Sequence, residues 1–124
     1  MMQQPAVVSE VTSVDLRDGH SFCFQVVCLE GGYFLWVGES DESKRLVSNL
    51  AVAMDSRLQN LPLVTLIHGA EGAEHTSEAE QLAQRLCKIT KAQWFVSLNL
   101  PSVNSETRLA IEKATLDKVG RQGR

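Results

Sequence analysis

Three stretches of this chain are apolar on both of their strand faces, and that constrains the fold more than any other feature of the sequence. Between Ser21 and Leu29, one face carries Phe22, Phe24, Val26 and Cys28, and the other Cys23, Gln25, Val27 and Leu29. Tyr33 to Val37 and Trp94 to Val96 share this two-sided character. A sheet with one solvated face alternates apolar and polar residues more cleanly, so the sheet these runs predict needs cover on both sides. Two helices can cover one side. A partner subunit is the natural cover for the other, and is favoured over complete coverage by the chain itself.

The intervening residues define the rest of the architecture. Ser9 to Arg17 alternates weakly and ends at Asp18-Gly19, a favoured hairpin pair, while Gly31-Gly32 separates the second run from the third. An antiparallel meander of three strands follows. Glu39 to Arg45 reads as a solvated loop. Leu46, Leu50, Met54 and Leu58 repeat at four, as in a helix, yet Leu46, Leu50, Val52 and Met54 also share one strand face, so periodicity leaves both readings open. Pro62 opens a strand from Leu63 to Ile67. After the Gly69 to Ala73 loop, Ser77 and Glu80 form a capping-box pattern for a helix to about Lys91, with Ala79, Leu82, Ala83, Leu86 and Ile89 as its apolar stripe. Gln93 to Leu100 predicts a strand stopped by Pro101. A last helix runs from about Asn104 to Val119, with Leu109, Leu116 and Val119 toward the core. The expected division is a flexible N-terminus over 1–8, one α+β domain over 9–119 and a fraying tail over 120–124.

Composition narrows the function. The 124 residues suffice for one ordinary domain. A net charge of −3, with 12 basic and 15 acidic residues interspersed, offers no phosphate-binding stripe, so nucleic acid is not an expected partner. No apolar run approaches the roughly 20 residues that span a bilayer, and Met1 to Pro5 lacks the charge of a signal peptide. Cys23, Cys28 and Cys87 are an odd number in a chain able to build a core without disulfides, which suggests a reducing compartment. Cys23 and Cys28 should diverge from opposite faces of one strand. His20, His68 and His75 are scattered, and there is no C-x-x-C pair, so neither a metal nor another cofactor is expected.

Catalytic patterns are weak. His68 and His75, with Glu71 and Glu74 between them, could supply acid-base groups, but a polar loop before a capped helix explains them equally, and no G-x-S-x-G or G-x-x-x-x-G-K-[ST] motif is present. Phe34, Trp36, Trp94 and Phe95 are of the types that anchor interfaces, although aromatics on strands usually face a core. Trp36, Arg57 and Trp94 are the residues put forward for partner contact. For Arg57, beside Asp55 and Ser56, a solvated strand end is the alternative to a rim contact.

The same residues carry a family likeness. Phe34-Leu35-Trp36-Val37-Gly38, then Asn49-Leu50-Ala51-Val52-Ala53-Met54 with Ser56-Arg57, then Leu82-Ala83-Gln84-Arg85-Leu86, and finally Phe95-Val96-Ser97 with Asn99-Leu100 occur in the order and spacing of the proteasome assembly chaperone 4 family. The chain resembles that family from about Phe22 to Leu116. The resemblance implies six mainly antiparallel strands with two helices packed on the sheet, and hence a strand at Leu46 to Met54. It also implies a non-catalytic chaperone that pairs with a proteasome assembly chaperone 3-like protein and helps form the ring of proteasome α subunits, in the cytoplasm and also the nucleus. The long Glu39 to Arg45 loop and the N-terminus through Leu16 depart from the family pattern and receive no family role. A small α+β trafficking adaptor, or a small enzyme using His68 and His75, are the alternative functions.

Overall fold

The computed structural model describes residues 7–8, 12–16, 19, 21–39, 47, 49–55, 62–68, 76–100 and 103–122. Its strands are β1 (Val7–Val8), β2 (Thr12–Asp15), β3 (Ser21–Leu29), β4 (Gly32–Gly38), β5 (Leu50–Met54), β6 (Leu63–His68) and β7 (Gln93–Asn99). The helices are α1 (Thr76–Thr90) and α2 (Ser105–Gln122). The expected first strand, within Ser9 to Arg17, is β2. β1 lies before it, in the stretch expected to be a flexible N-terminus, where pairing with β3 holds Val7–Val8 in the sheet. The two share the outer edge of β3 at Val27–Cys28 and Ser21–Phe24. They fill one strand position, so the sheet has six, in the order β1/β2-β3-β4-β7-β5-β6. All pairings are antiparallel except that of β4 with β7.

The meander of β2, β3 and β4 forms as expected. Its second turn puts Gly31 at φ 83°, a backbone region that glycine enters without a Cβ penalty. The ambiguous segment is strand β5 from Leu50 onward, as the family likeness implied; Leu46 and Leu58 lie outside the described residues. β7, the last strand in the chain, lies between β4 and β5, and so joins the N-terminal meander to the β5–β6 hairpin.

One face of this sheet is the core. Phe22, Phe24 and Val26 of β3, Leu35 and Val37 of β4, Trp94, Val96 and Leu98 of β7, and Ala51 and Ala53 of β5 are all buried there. Helix α1 packs over β5, β7 and β6, and α2 over β3 beside α1. The small side chains of Ala51 and Ala53 leave room for α1, whose Ala79, Leu82, Ala83, Leu86 and Cys87 are fully buried. Ile89 departs from expectation: it is 49% exposed, and Cys87 takes its place in the stripe. α1 begins at Thr76, which puts Ser77 in the first turn of the helix and not at its cap.

α2 departs further. Asn104 caps it, its side-chain Oδ1 accepting from the Thr107 N–H at 2.8 Å. The buried stripe is Thr107, Ile111, Thr115 and Val119, whereas Leu109, expected in the core, is 62% exposed. The helix also continues past Val119 to Gln122. Gln81 accepts from Arg108, and the Arg85 guanidinium donates twice to Glu112, at 2.7 and 3.0 Å. Both pairs are 27 residues apart, so the two helices run in the same direction. Hydrogen bonding to Glu112, followed by its charge, pushes the Arg85 pKa up.

Candidate protein-interaction face

The strand face opposite the helices is the candidate site. Paired residues in a sheet point to the same side, so the registers place Val27, Phe34, Phe95, Val52 and Thr65 in one row across β3, β4, β7, β5 and β6. Val27, Phe34 and Phe95 are half-buried, although neither helix lies on this side. Gln25, Trp36 and Ser97 form the adjacent row, and Cys23, Gly38 and Asn99 the next. Met54 and Leu63 extend the apolar surface at the far end of the sheet, and both are exposed.

The polar residues around these rows fix their geometry. Trp36 and Gly38 stand on the same face, and a Cβ at Gly38 would overlap the indole ring of Trp36, so glycine is what lets the ring lie down on the strand. Asn99 Nδ2 donates to the Val37 carbonyl at 3.1 Å and to Ser97 Oγ at 2.9 Å. Just before β5, the buried Asn49 side chain donates to the Leu98 carbonyl at 2.7 Å and accepts from the Leu98 N–H at 2.9 Å. This amide extends the β5–β7 ladder beyond Leu50 in the manner of a backbone unit. Asn49 therefore shapes the face from within and offers it no contact surface.

The three residues put forward for partner contact separate. Trp36 stands on the open face, half-buried. Trp94 does not: it is fully buried on the helix side, stacked on Tyr33 at 4.6 Å, with its indole N–H donating to Thr90 Oγ1 at 2.8 Å. Period 2 separates it from Phe95 and turns it to the core. Arg57 lies outside the described residues, as does His75, while His68 ends β6. Phe34 and Phe95, weighed in the sequence as aromatics of interface type but not put forward for contact, stand on this face, and Val27 and Val52 beside them were not singled out. Their signal was available as the second face of each two-sided strand.

Two of the three thiols, Cys28 and Cys87, are shifted away from the reactive thiolate form. Cys23 and Cys28 lie on opposite faces of β3, as expected, and Cys87 lies within the core; the three are not joined in a disulfide. Burial pushes the Cys28 and Cys87 pKa values above the ordinary 9.0, with Asp55 adding to the rise at Cys87 and Lys91 opposing it. Among the described residues, no group of three or more His, Cys, Asp or Glu side chains is placed to hold a metal ion.

Comparison with known proteins gives these features a context. A solved chain from the "Crystal Structure of a Novel Chaperone Complex for Yeast 20S Proteasome Assembly" superposes with a TM-score of 0.63, over 92% of this chain and 96% of its own, at 14% identity, which shows a shared fold. The mouse and human proteins named proteasome assembly chaperone 4 are each 40% identical over 89 residues, which is 72% of this chain and 67% of theirs. The sequence model of the family described as proteasome assembly chaperone 4 matches residues 21–100, from the start of β3 through the end of β7. With this match spanning the strands that build the open face, and with those relatives, the chain belongs to the proteasome assembly chaperone 4 family.

Proposed function

We propose that this chain is a non-catalytic assembly chaperone that pairs with a homologous, proteasome assembly chaperone 3-like protein and, as that pair, promotes formation of the proteasome α-subunit ring. Family membership supports the chaperone role. The observation that carries the pairing is the row of half-buried Val27, Phe34 and Phe95, flanked by the buried Val52, on a sheet face that neither helix covers. An apolar row of this kind suits a second sheet laid over it, because two sheets pack about 10 Å apart with their side chains interdigitated. Trp36 fits the role of an anchor at the side of this row, since aromatics at the centre of an interface carry much of its affinity. A specific interface of this type buries at least about 1,000 Å². On this reading the pair presents surfaces to α subunits, in the cytoplasm and nucleus.

The test is co-purification of the tagged chain with its chaperone 3-like sister, followed by mass spectrometry of captured proteins. Proteasome α subunits should be recovered with the pair. Phe34→Glu puts a charge in the middle of the row, at a half-buried site outside the core, and should abolish pairing and capture while leaving the circular dichroism spectrum unchanged. Pairing that survives this substitution moves the interface elsewhere. Recovery of membrane-trafficking proteins or GTPases in place of α subunits overturns the chaperone reading.

A further inference from the structure

The two helices are attached to the sheet by different means. α1 lies over the small side chains of Ala51 and Ala53, and its buried Ala79, Leu82, Ala83, Leu86 and Cys87 include no hydroxyl, amide or charge. α2 lies over β3, whose Phe22 and Phe24 rings stand 6.3 Å apart on the helix side. In its buried stripe of Thr107, Ile111, Thr115 and Val119, only Ile111 and Val119 are aliphatic. The buried Thr115 hydroxyl has no hydrogen-bond partner among the described residues, which opposes docking of the helix. Between α2 and β2 runs a groove of about 620 Å³, where Val14, Ala110, Ala114 and Leu116 are only half-buried. Burial gains α2 little on that side. Polar bonds to α1 tie it down: Arg85 donates twice to Glu112, and Arg108 donates to Gln81. The Arg85 side chain is 57% exposed and that of Glu112 12%, so the pair is within reach of dissolved ions.

We infer that α2 is a latch: it opens as one unit from the folded protein and uncovers Phe22 and Phe24, while the sheet and α1 stay in place. Elements with few buried apolar side chains open at a free energy well below that of global unfolding. The remaining structure keeps its own support. α1 stays packed on β5, β6 and β7, and β3 keeps its ladders to β2 and β4 when α2 leaves. The catch is the Arg85–Glu112 pair, a doubly hydrogen-bonded ion pair of the strong kind. Opening is therefore under electrostatic control, and rising ionic strength favours it. The surface it uncovers lies across the sheet from Val27, Phe34 and Phe95, so the latch works independently of the pairing proposed above.

Native-state hydrogen exchange on the full chain, resolved by residue at several low urea concentrations, tests the latch. A released helix of 18 residues is only marginally stable in water, so its amides lose protection on opening. Amides at 111–115 of α2 should exchange at least about a hundredfold faster than those at 82–87 of α1. They should also respond less to urea, because opening the latch exposes less surface than global unfolding. Glu112→Ala should speed α2 exchange at least about fivefold, and added salt should speed it in the parent chain but not in this variant. Leu66, half-buried on β6 at the end of the sheet away from α2, keeps its contacts in the open form. Leu66→Ala should thus speed exchange in α1 about tenfold and leave α2 unchanged. The proposal fails if both helices exchange at one rate with one urea dependence, or if fast exchange is confined to the turn after Val119. It also fails if Leu66→Ala speeds both helices equally, or if Glu112→Ala leaves α2 exchange as it was. No sister chaperone or proteasome subunit enters this measurement, so its outcome is separate from that of the chaperone reading.

Discussion

Thr115 is fully buried between α2 and the sheet, and its hydroxyl oxygen lacks a hydrogen-bond partner among the described residues. A buried polar group left in this way costs about 1–3 kcal/mol, and valine has nearly the same shape. Thr115→Val should therefore raise stability by about 1 kcal/mol in urea melts; a loss would mean that the hydroxyl is satisfied in solution. The half-buried Cys28 and the buried Cys87 make a prediction about pH. Cys28 and Cys87 hold their protons above the ordinary 9.0, so above that pH the unfolded chain releases protons that the folded chain keeps. With fewer protons bound by the unfolded state, stability should be unaffected by these groups below about pH 9 and decline as pH rises toward their folded pKa values. Thermal melts between neutral and alkaline pH check this. The double variant Cys28→Ala/Cys87→Ala should show a shallower decline, whatever its absolute stability.

Helix ends show how one residue sets an element. α1 stops where Thr90 Oγ1 donates to the Leu86 carbonyl at 2.8 Å while accepting from the Trp94 indole and, at 3.3 Å, from the Ala92 N–H. Lys91 follows at φ 63°, its N–H donating to the Cys87 carbonyl at 2.8 Å, in the left-handed conformation that glycine usually adopts after a helix. Lys91→Gly should thus stabilise the protein by up to about 1 kcal/mol, read as a shift in denaturant midpoint. No gain would place the strain relief elsewhere in the turn. α1 was legible in the sequence because alanines and leucines fill its buried stripe. α2 was legible only as a helix, since two of the four residues on its buried stripe are the threonines Thr107 and Thr115, and the exposed Leu109 drew the apolar pattern onto the wrong face. Likewise, β5 could not be separated from a helix by periodicity; its pairing with both β6 and β7 decided it.

For the whole molecule, the sheet face that neither helix covers predicts how the chain behaves in solution. On the proposed pairing, the isolated chain should self-associate with rising concentration in light scattering. Adding the sister chaperone should yield a one-to-one complex with a higher Tm, since a partner at about 100 times its Kd stabilises the native state by about 2.7 kcal/mol. A monomer unchanged in size and Tm by the sister would refute the pairing. The sequence by itself determined that β3, β4 and β7 are strands with two apolar faces, because period 2 is a property of the local backbone that any such run displays. It also determined the family, through motifs whose order survives in one dimension. Which of the two faces is the core was decided only by tertiary structure. Strand order puts β7 between β4 and β5, and the paths of α1 and α2 bring both helices to the Trp94 side, so Trp94 became core while Phe34, Trp36 and Phe95 stayed on the open face. A strand's two faces are equivalent until another layer packs on one of them, and that choice depends on contacts between residues far apart in the chain.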